Sequence, residues 1–314
     1  MNIAIDVMGG DYAPEAVVDG ILLAISNLAQ EETILAVGPA DTINTLLADR
    51  GYTGSQIRVI NADQVIEMGE HPTRALSQKP NSSIGVGFAL LKEGKADIFA
   101  SAGNTGAMMV GSLFSVKTIE GVQRPAIAGF IPQTDGTHSV MLDIGANADC
   151  KPEMLEQWAV LGSVYASATR GIASPRVGLL NIGEEEQKGS ILALATHALL
   201  KANDKLNFVG NLEGKDVFRG KADVIVTDGF TGNIVLKMGE SIYNIMKEQG
   251  MVNEFVDRTN YENYGGSPII GINGNVIIAH GASSPTAIMN MIKLCQNIVK
   301  SEVAKKIKAA FENN

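Results

Sequence analysis

Aromatic side chains are scarce in this 314-residue chain: Phe, Trp and Tyr make up 5% of it, with one tryptophan, Trp158. That disfavours the stacking platforms on which single-stranded nucleic acids bind. Positive charge is also in deficit, with 25 Lys and Arg against 34 Asp and Glu, a net −9. Such a surface repels nucleic acid and anionic lipid, so no nucleic-acid partner is expected and any anionic ligand must be met by a local site. Two cysteines, Cys150 and Cys295, share no CxxC spacing. They read as structural thiols in a reducing cytoplasm. No apolar run approaches the roughly 18–20 residues of a membrane span. The opening MNIAIDVMGGD lacks the basic start and long apolar stretch of a secretion signal. A cytoplasmic location is expected.

Several chemical signatures are missing too. Without GxxxxGK[ST] a P-loop nucleotide enzyme is disfavoured, and without GxSxG there is no serine elbow. Gly85-Val86-Gly87 lacks a third glycine at dinucleotide spacing and lies in a helical pattern. His138 and Asp143 spell an HxxxxD acyltransferase string, but on a predicted strand a separation of five puts them on opposite faces. No histidine pair has zinc spacing, and the loop carboxylates are too dispersed for magnesium. Neither a metal nor a cofactor is expected.

What is present is a core-forming composition, 45% hydrophobic, with 34 glycines. Short β-rich runs at 2–6, 33–37, 57–61, 97–101, 126–131, 138–143, 176–181, 206–210, 223–227 and 275–279 alternate with helical patterns. The helical patterns lie near 14–29, 40–49, 82–94, 104–117, 152–169, 188–202, 231–248 and 285–310. Several strands are apolar on both faces, which predicts a three-layer α/β/α fold around a mainly parallel sheet. No clean linker appears. Residues 1–314 therefore read as one catalytic unit, with two lobes around a cleft as the alternative and no readable boundary. One internal echo aligns ADIFASAGNTGAMM (96–109) on ADVIVTDGFTGNIV (222–235), each a strand, a glycine turn and a helix.

Ligands of open α/β sheets bind where strands end and helices begin, and helix starts suit phosphate. Five segments have that character: Met8–Asp11, Ser101–Gly106, Asp143–Asn147, Asn181–Gly189 and Asp228–Asn233. All five are expected on one sheet edge, around an anion. Candidate cations are Lys188, Lys237, Arg74 and Lys79, each with an ordinary surface role as its alternative. His280, ending an apolar strand, is a proton donor, an oxyanion partner or a structural histidine.

The motifs AIDVMGGDYAPE, SAGNTGA, LDIGAN, NIGEEEQKG, TDGFTGN, YGG and AHGAS occur in this order across residues 3–284. Together they resemble the PlsX family, the acyl-ACP:phosphate acyltransferases of bacterial phospholipid synthesis. The resemblance implies a fold similar to the isocitrate and isopropylmalate dehydrogenases and the phosphate acetyltransferases, as a homodimer. It implies that inorganic phosphate attacks the thioester of a fatty acyl carrier protein, and that the acyl phosphate passes to a membrane glycerol-3-phosphate acyltransferase. It assigns catalysis to Lys188 and Asn233, and substrate or phosphate binding to Asp6, Gly9, Gly10, Asn104, Thr105, Asn147, Thr231, Gly232 and His280. An attacking phosphate fits the absence of a serine or cysteine nucleophile.

One segment departs from the family pattern, which has an apolar and basic hairpin there. Residues 244–263 hold two basic and four acidic residues, a net of 2 − 4 = −2. Met246, Met251, Val252, Phe255 and Val256 form a small apolar face, for peripheral membrane contact or a dimer. An acidic carrier protein needs a basic patch, for which Lys300, Lys305, Lys306 and Lys308 are the candidates. The competing functions are an acyl-CoA-dependent phosphate acyltransferase and a non-catalytic phosphate or lipid-metabolite sensor.

Overall fold

Segments such as NIAID, IFAS and VIV carry apolar side chains on both faces and little else, so they are stable as strands only where helices cover both sides. In the computed structural model, which describes residues 1–312, they are strands buried at nearly every position. The chain runs β1 (Asn2–Asp6), α1 (Glu15–Ile25), β2 (Thr33–Gly38), α2 (Ala40–Asp49), β3 (Ile57–Asn61) and α3 (Pro72–Gln78). Next come α4 (Ser83–Lys92), β4 (Ile98–Ser101), α5 (Thr105–Gly111), a π-helical turn (Ser112–Val116), β5 (Ala126–Ile127), β6 (Gly129–Pro132) and β7 (His138–Leu142). Then follow α6 (Pro152–Arg170), β8 (Arg176–Leu180), α7 (Ile191–Ala202), β9 (Asn207–Leu212) and β10 (Val224–Val226). The last elements are α8 (Gly229–Glu248), α9 (Glu254–Arg258), β11 (Ser267–Ile270), β12 (Val276–Ile278), α10 (Pro285–Lys300) and α11 (Val303–Glu312).

These elements form two compact units, each interrupted in sequence. The first comprises Met1–Thr118 and Tyr261–Lys300; the second comprises Ile119–Asn260 and the chain from Ser301. Within the first unit the strands lie in the order β3-β2-β1-β4-β12-β11, parallel except for the antiparallel β11–β12 pair. Helix α4 packs on β1 and β4, while α1 packs along α10. Within the second unit the order is β6-β7-β10-β8-β9, parallel except for β6–β7. Helix α6 lies on β7 and β10 and buries Trp158, whose indole N–H donates to the Arg124 carbonyl at 3.0 Å. The layered α/β expectation holds.

The single sheet does not. Two sheets exist, so the five glycine loops divide between two edges: 8–11 and 101–106 in the first unit, 143–147, 181–189 and 228–233 in the second. The chain passes between the units three times, at 118/119, 260/261 and 300/301, and none of these points falls within a run of Gly or Pro, which is why the sequence hid the boundary. Smaller differences have local causes. The predicted helix 285–310 breaks after Lys300, where Glu302 adopts φ 52°. The predicted strand 126–131 splits in two, and β11, whose SPII run is too short to alternate, was not anticipated. The sequence echo lands on matching places, since β4–α5 and β10–α8 are each a strand, turn and helix at the centre of its own sheet. Gly85 and Gly87 lie inside α4, as their helical pattern required.

Candidate functional site

In the first unit, the ends of β1, β4 and β12 gather six of the singled-out residues. Asp6 closes β1 and is buried, accepting from the Ser101 hydroxyl at 2.6 Å and the Met8 amide at 3.0 Å. Burial pushes its carboxyl above the usual range, against the hydrogen bonds from Ser101, Ser83 and the loop amides that favour the charge. Gly9 has no room for a side chain: a Cβ there would stand 2.6 Å from the Gly103 nitrogen and from Asp6 Oδ2. Its loop therefore lies directly on the SAGNTG turn. Gly10 approaches Gly281 of the AHGAS segment, and the Asp11 amide donates to the Gly281 carbonyl at 2.7 Å.

Asn104 is wholly occupied. It caps α5 by accepting from the Ala107 amide at 2.9 Å, and its amide group donates to the carbonyls of Glu67, Met68 and Glu70 at 3.0–3.1 Å. Its place is that of a loop clamp, whereas Thr105, one residue on, is exposed. His280 is exposed too, with its ring 4.7 Å from that of Tyr261. Its Nδ1 accepts from the Ala282 amide at 3.1 Å, which leaves Nε2 to carry the proton in the neutral ring.

In the second unit a buried carboxylate organises one loop. Asp143 accepts from the amides of Ile127, Gly145, Ala146 and Asn147 and from the Asn147 side chain, at 2.7–3.3 Å. Burial raises its pKa and those donors oppose the rise. Both amide hydrogens of Asn147 are spent internally, on Asp143 and on the Pro125 carbonyl at 2.9 Å. Helix α8 starts on this loop. The Gly229 amide donates to the Asn147 carbonyl at 2.8 Å, and a Cβ on Gly232 would sit 1.9 Å from the Asp143 carbonyl oxygen. The side chain of Asn233, half-buried, lies over Gly145.

The α8 start differs from expectation. It begins at Gly229, two residues earlier than predicted, because Asp228 caps it by accepting from the Thr231 amide and hydroxyl, both at 2.8 Å. With Gly229, Thr231 and Gly232 amides all engaged and a carboxylate at the end, this helix start is not an open anion cradle.

Helix α7 is the contrast. It begins at Ile191 rather than 188, since Gly189 has φ 111° and Ser190 caps the Ala193 amide. A left-handed residue cannot extend a helix backwards, so Lys188 belongs to the loop before it. The amides of Ile191 and Leu192 make no hydrogen bond among the described residues. The loop is held in shape by Asn181, which donates to the Lys188 carbonyl at 3.0 Å, and by Asn211, which donates to the Glu185 carbonyl at 2.9 Å.

Its charges are sorted as well. Glu184 pairs with Lys221 at 3.1 Å and Glu186 with Lys201 at 2.6 Å. Exposed Lys188 makes no ion pair among the described residues. Beneath lies a cavity of about 280 Å³ whose lining includes Leu155, Leu179, Asn181, Ser190, Leu192 and Thr231. The Lys188 loop and the first turn of α8 thus share a cavity, while Asn147, Gly232 and Asn233 cluster around Asp143.

Several other candidates are accounted for. Lys79 binds Glu70 at 2.6 Å and the Val65 carbonyl at 2.7 Å, a structural role. Lys300, Lys305 and Lys308 hold Glu32, Glu302 and Glu312, so most of the expected basic patch is locally neutralised. Glu184, Glu213 and Asp216 converge, and each is already in an ion pair with Lys215 or Lys221. Burial raises the Cys150 thiol to about 11 and pushes Cys295 up further, so neither is a ready nucleophile. Asp143, Asp228, Asn181 and Ser101 stood in the quoted loops without a role. A buried carboxylate facing several loop amides is not visible as a sequence pattern.

The fold, two sheet-centred α/β units, is shared with solved structures of acyl-transferring and dehydrogenase enzymes. The fold superposes on a phosphotransacetylase from Streptococcus pyogenes with a TM-score of 0.67, at 18% identity, covering 97% of this chain and 94% of that one. A 4-hydroxythreonine-4-phosphate dehydrogenase from Klebsiella pneumoniae superposes with a TM-score of 0.58, at 16% identity, covering 95% and 99%. At those identities the likeness is one of fold. The sequence itself goes further. A protein described as "Phosphate acyltransferase" from Dictyoglomus thermophilum is 44% identical, covering 98% of this chain and 96% of the relative. One of the same description from Bacillus subtilis is 41% identical, covering 97% and 96%. The family profile "Fatty acid synthesis protein" matches residues 1–306. The chain belongs to this PlsX family of phosphate acyltransferases.

Proposed function

We propose that this enzyme transfers a fatty acyl group from acyl carrier protein to inorganic phosphate, feeding phospholipid synthesis. The observation that carries the reading is Lys188, a lysine without an ion pair among the described residues, before the open end of α7, while Glu184 and Glu186 of its loop are matched to Lys221 and Lys201. An ammonium beside two free backbone donors suits a phosphate dianion.

Phosphate oxygen attacks the thioester carbonyl carbon, the carbonyl becomes an oxyanion, and its collapse expels the carrier-protein thiolate to leave acyl phosphate. Lys188 neutralises the phosphate or the oxyanion, and Asn233 donates a hydrogen bond to either. No protein nucleophile is required, in keeping with cysteines whose thiols stay protonated. Asp143, Asn147, Gly232 and Asn104 hold the loops in place rather than touching the reacting atoms. Asp6, Gly9, Gly10, Thr105, Thr231 and His280 remain in the reading as contributors to substrate or phosphate binding.

Assembly belongs to the same proposal. Phe230, Ile234, Met238, Ile242 and Ile245 recur every three or four residues on α8 and are 42–63% exposed, an apolar stripe suited to a second copy of the chain in a homodimer. Over 244–263 the net charge is −2, Val256 is buried and Phe255 packs on Phe218, so membrane contact is the weaker use of that segment, although the product passes on to a membrane glycerol-3-phosphate acyltransferase. No helix among the described residues is long and apolar enough to cross a membrane.

Palmitoyl carrier protein and phosphate, incubated with the enzyme and trapped with hydroxylamine, give the hydroxamate of an acyl phosphate. Palmitoyl-CoA in parallel gives little. Equal or better turnover with the coenzyme A ester replaces the carrier protein as donor, and no phosphate-dependent cleavage of either thioester removes the activity.

A further inference from the structure

The cavity under the Lys188 loop is built mostly of side chains that a phosphate cannot use. Leu155 and Leu179, 2% and 1% exposed, form its floor, and Leu180, Leu192 and Ala193 line it. Setting an anion against such a wall costs free energy that no hydrogen bond returns. Its polar side chains come from the Lys188 loop (Asn181, Ser190) and from the end of β10 and the start of α8 (Thr227, Asp228, Thr231), where the Asp228 carboxylate already accepts from the Thr231 amide and hydroxyl. The loop also exposes two large apolar side chains at its ends: Ile182 is 79% exposed and Ile191 is 89% exposed, on either side of the charged stretch that includes Lys188.

An amphiphile satisfies all three features, with its anionic head at Lys188 and the free α7 amides and its chain against the leucines. We propose that this cavity is the acyl-chain subsite, taking the methylenes nearest the reacting carbonyl and leaving the rest of a long chain to run over Ile182 and Ile191. The assignment rests on the acyl-to-phosphate reading above and names where that substrate's chain lies. At about 280 Å³ the cavity is at the small end of ligand pockets, roughly 300–1,000 Å³. It therefore admits part of a chain, and Ala193, half-buried on its wall, sets how much.

Chain length then governs affinity in a defined way. Each methylene moved from water to the leucines tightens binding about fourfold, until the cavity is full. The test uses methyl-, butyl-, hexyl-, octyl- and decylphosphonate, stable molecules that join a phosphate-like head to a graded chain. Their dissociation constants are measured by titration calorimetry on the full-length protein. The wild type is expected to bind progressively more tightly and then level off. Ala193→Phe should level off at a shorter chain with methylphosphonate binding unchanged, and Leu192→Ala at a longer one. Thermal melting checks that each variant is folded, and either variant alone suffices.

A flat wild-type profile overturns the subsite. So does a folded variant whose affinity for every chain length matches the wild type, or falls equally for all. Failure of the donor assignment looks different. If the phosphonate series behaves as expected while acyl carrier protein yields no acyl phosphate, the subsite stands and the donor is wrong.

Discussion

Lys188 makes no ion pair among the described residues; Glu184 and Glu186 of its loop are held by Lys221 and Lys201, and Asn181 pins its carbonyl. Lys188→Ala therefore removes a charge without breaking a contact. It should lower acyl-phosphate formation about 10²–10³-fold, the usual loss for one oxyanion donor, and leave the melting temperature unchanged. Near-normal turnover would take Lys188 out of the mechanism. Gly232 shows the opposite pattern. Adding a methyl group there drives it to 1.9 Å from a backbone oxygen, so Gly232→Ala should cost about 3 kcal/mol of stability. Denaturant unfolding measures it. Gly232 and the proposed donor Asn233 stand side by side in one sequence motif, TDGFTGN, and the letters do not distinguish their roles. Asn104 and Asn147 look like ligand donors in sequence, yet their amides are committed to loop carbonyls and carboxylates. What separates a clamp from a donor is whether a partner lies nearby in space, and that partner is 34–37 residues away for Asn104.

Among the elements, β8 and β10 are tied by a charged pair. Asp223 accepts from the Arg176 amide at 2.9 Å and its guanidinium at 3.0 and 3.2 Å. Burial pushes the Asp223 carboxyl up, but the hydrogen bonds and charge of Arg176, with Arg170, outweigh it and hold the pKa below the ordinary 3.8. A depressed carboxylate contributes stability that is present above its unfolded pKa and fades as pH falls through the folded one. Asp223→Asn should cost about 2 kcal/mol at neutral pH, and the gap from wild type should narrow below about pH 4. Trp158, the sole tryptophan and fully buried on α6 of the same unit, provides the fluorescence signal. A pH-independent gap would show that the pair's charge contributes nothing. Strands and long helices were readable because their apolar patterns repeat. The starts of α7 and α8 were not, because a cap depends on one side chain and one φ angle, at Ser190 with Gly189 and at Asp228.

For the whole molecule, the apolar stripe on α8 predicts a particle of twice 33.1 kDa. Light scattering on Ile242→Glu combined with Ile245→Glu should show the single-chain mass with the fold retained, since both side chains are exposed. A wild type already at 33.1 kDa excludes the dimer. The sequence disclosed the layer architecture but placed all strands in one sheet. Strand order depends on pairings such as β12 with β4, whose partners Val276 and Phe99 are far apart in the chain. No local pattern encodes them.

The interleaving of the two units also bears on synthesis. The first unit lacks β12 and α10 until Lys300 has been made, so the inner edge of β4 waits for a strand nearly 180 residues downstream. At roughly 5–20 residues per second, that edge stays unpaired on the ribosome for about ten seconds or more. A nascent chain stopped at Thr118 would expose it permanently. Neither unit is one continuous stretch of chain, so a cut at Thr118 or Asn260 separates each from part of itself.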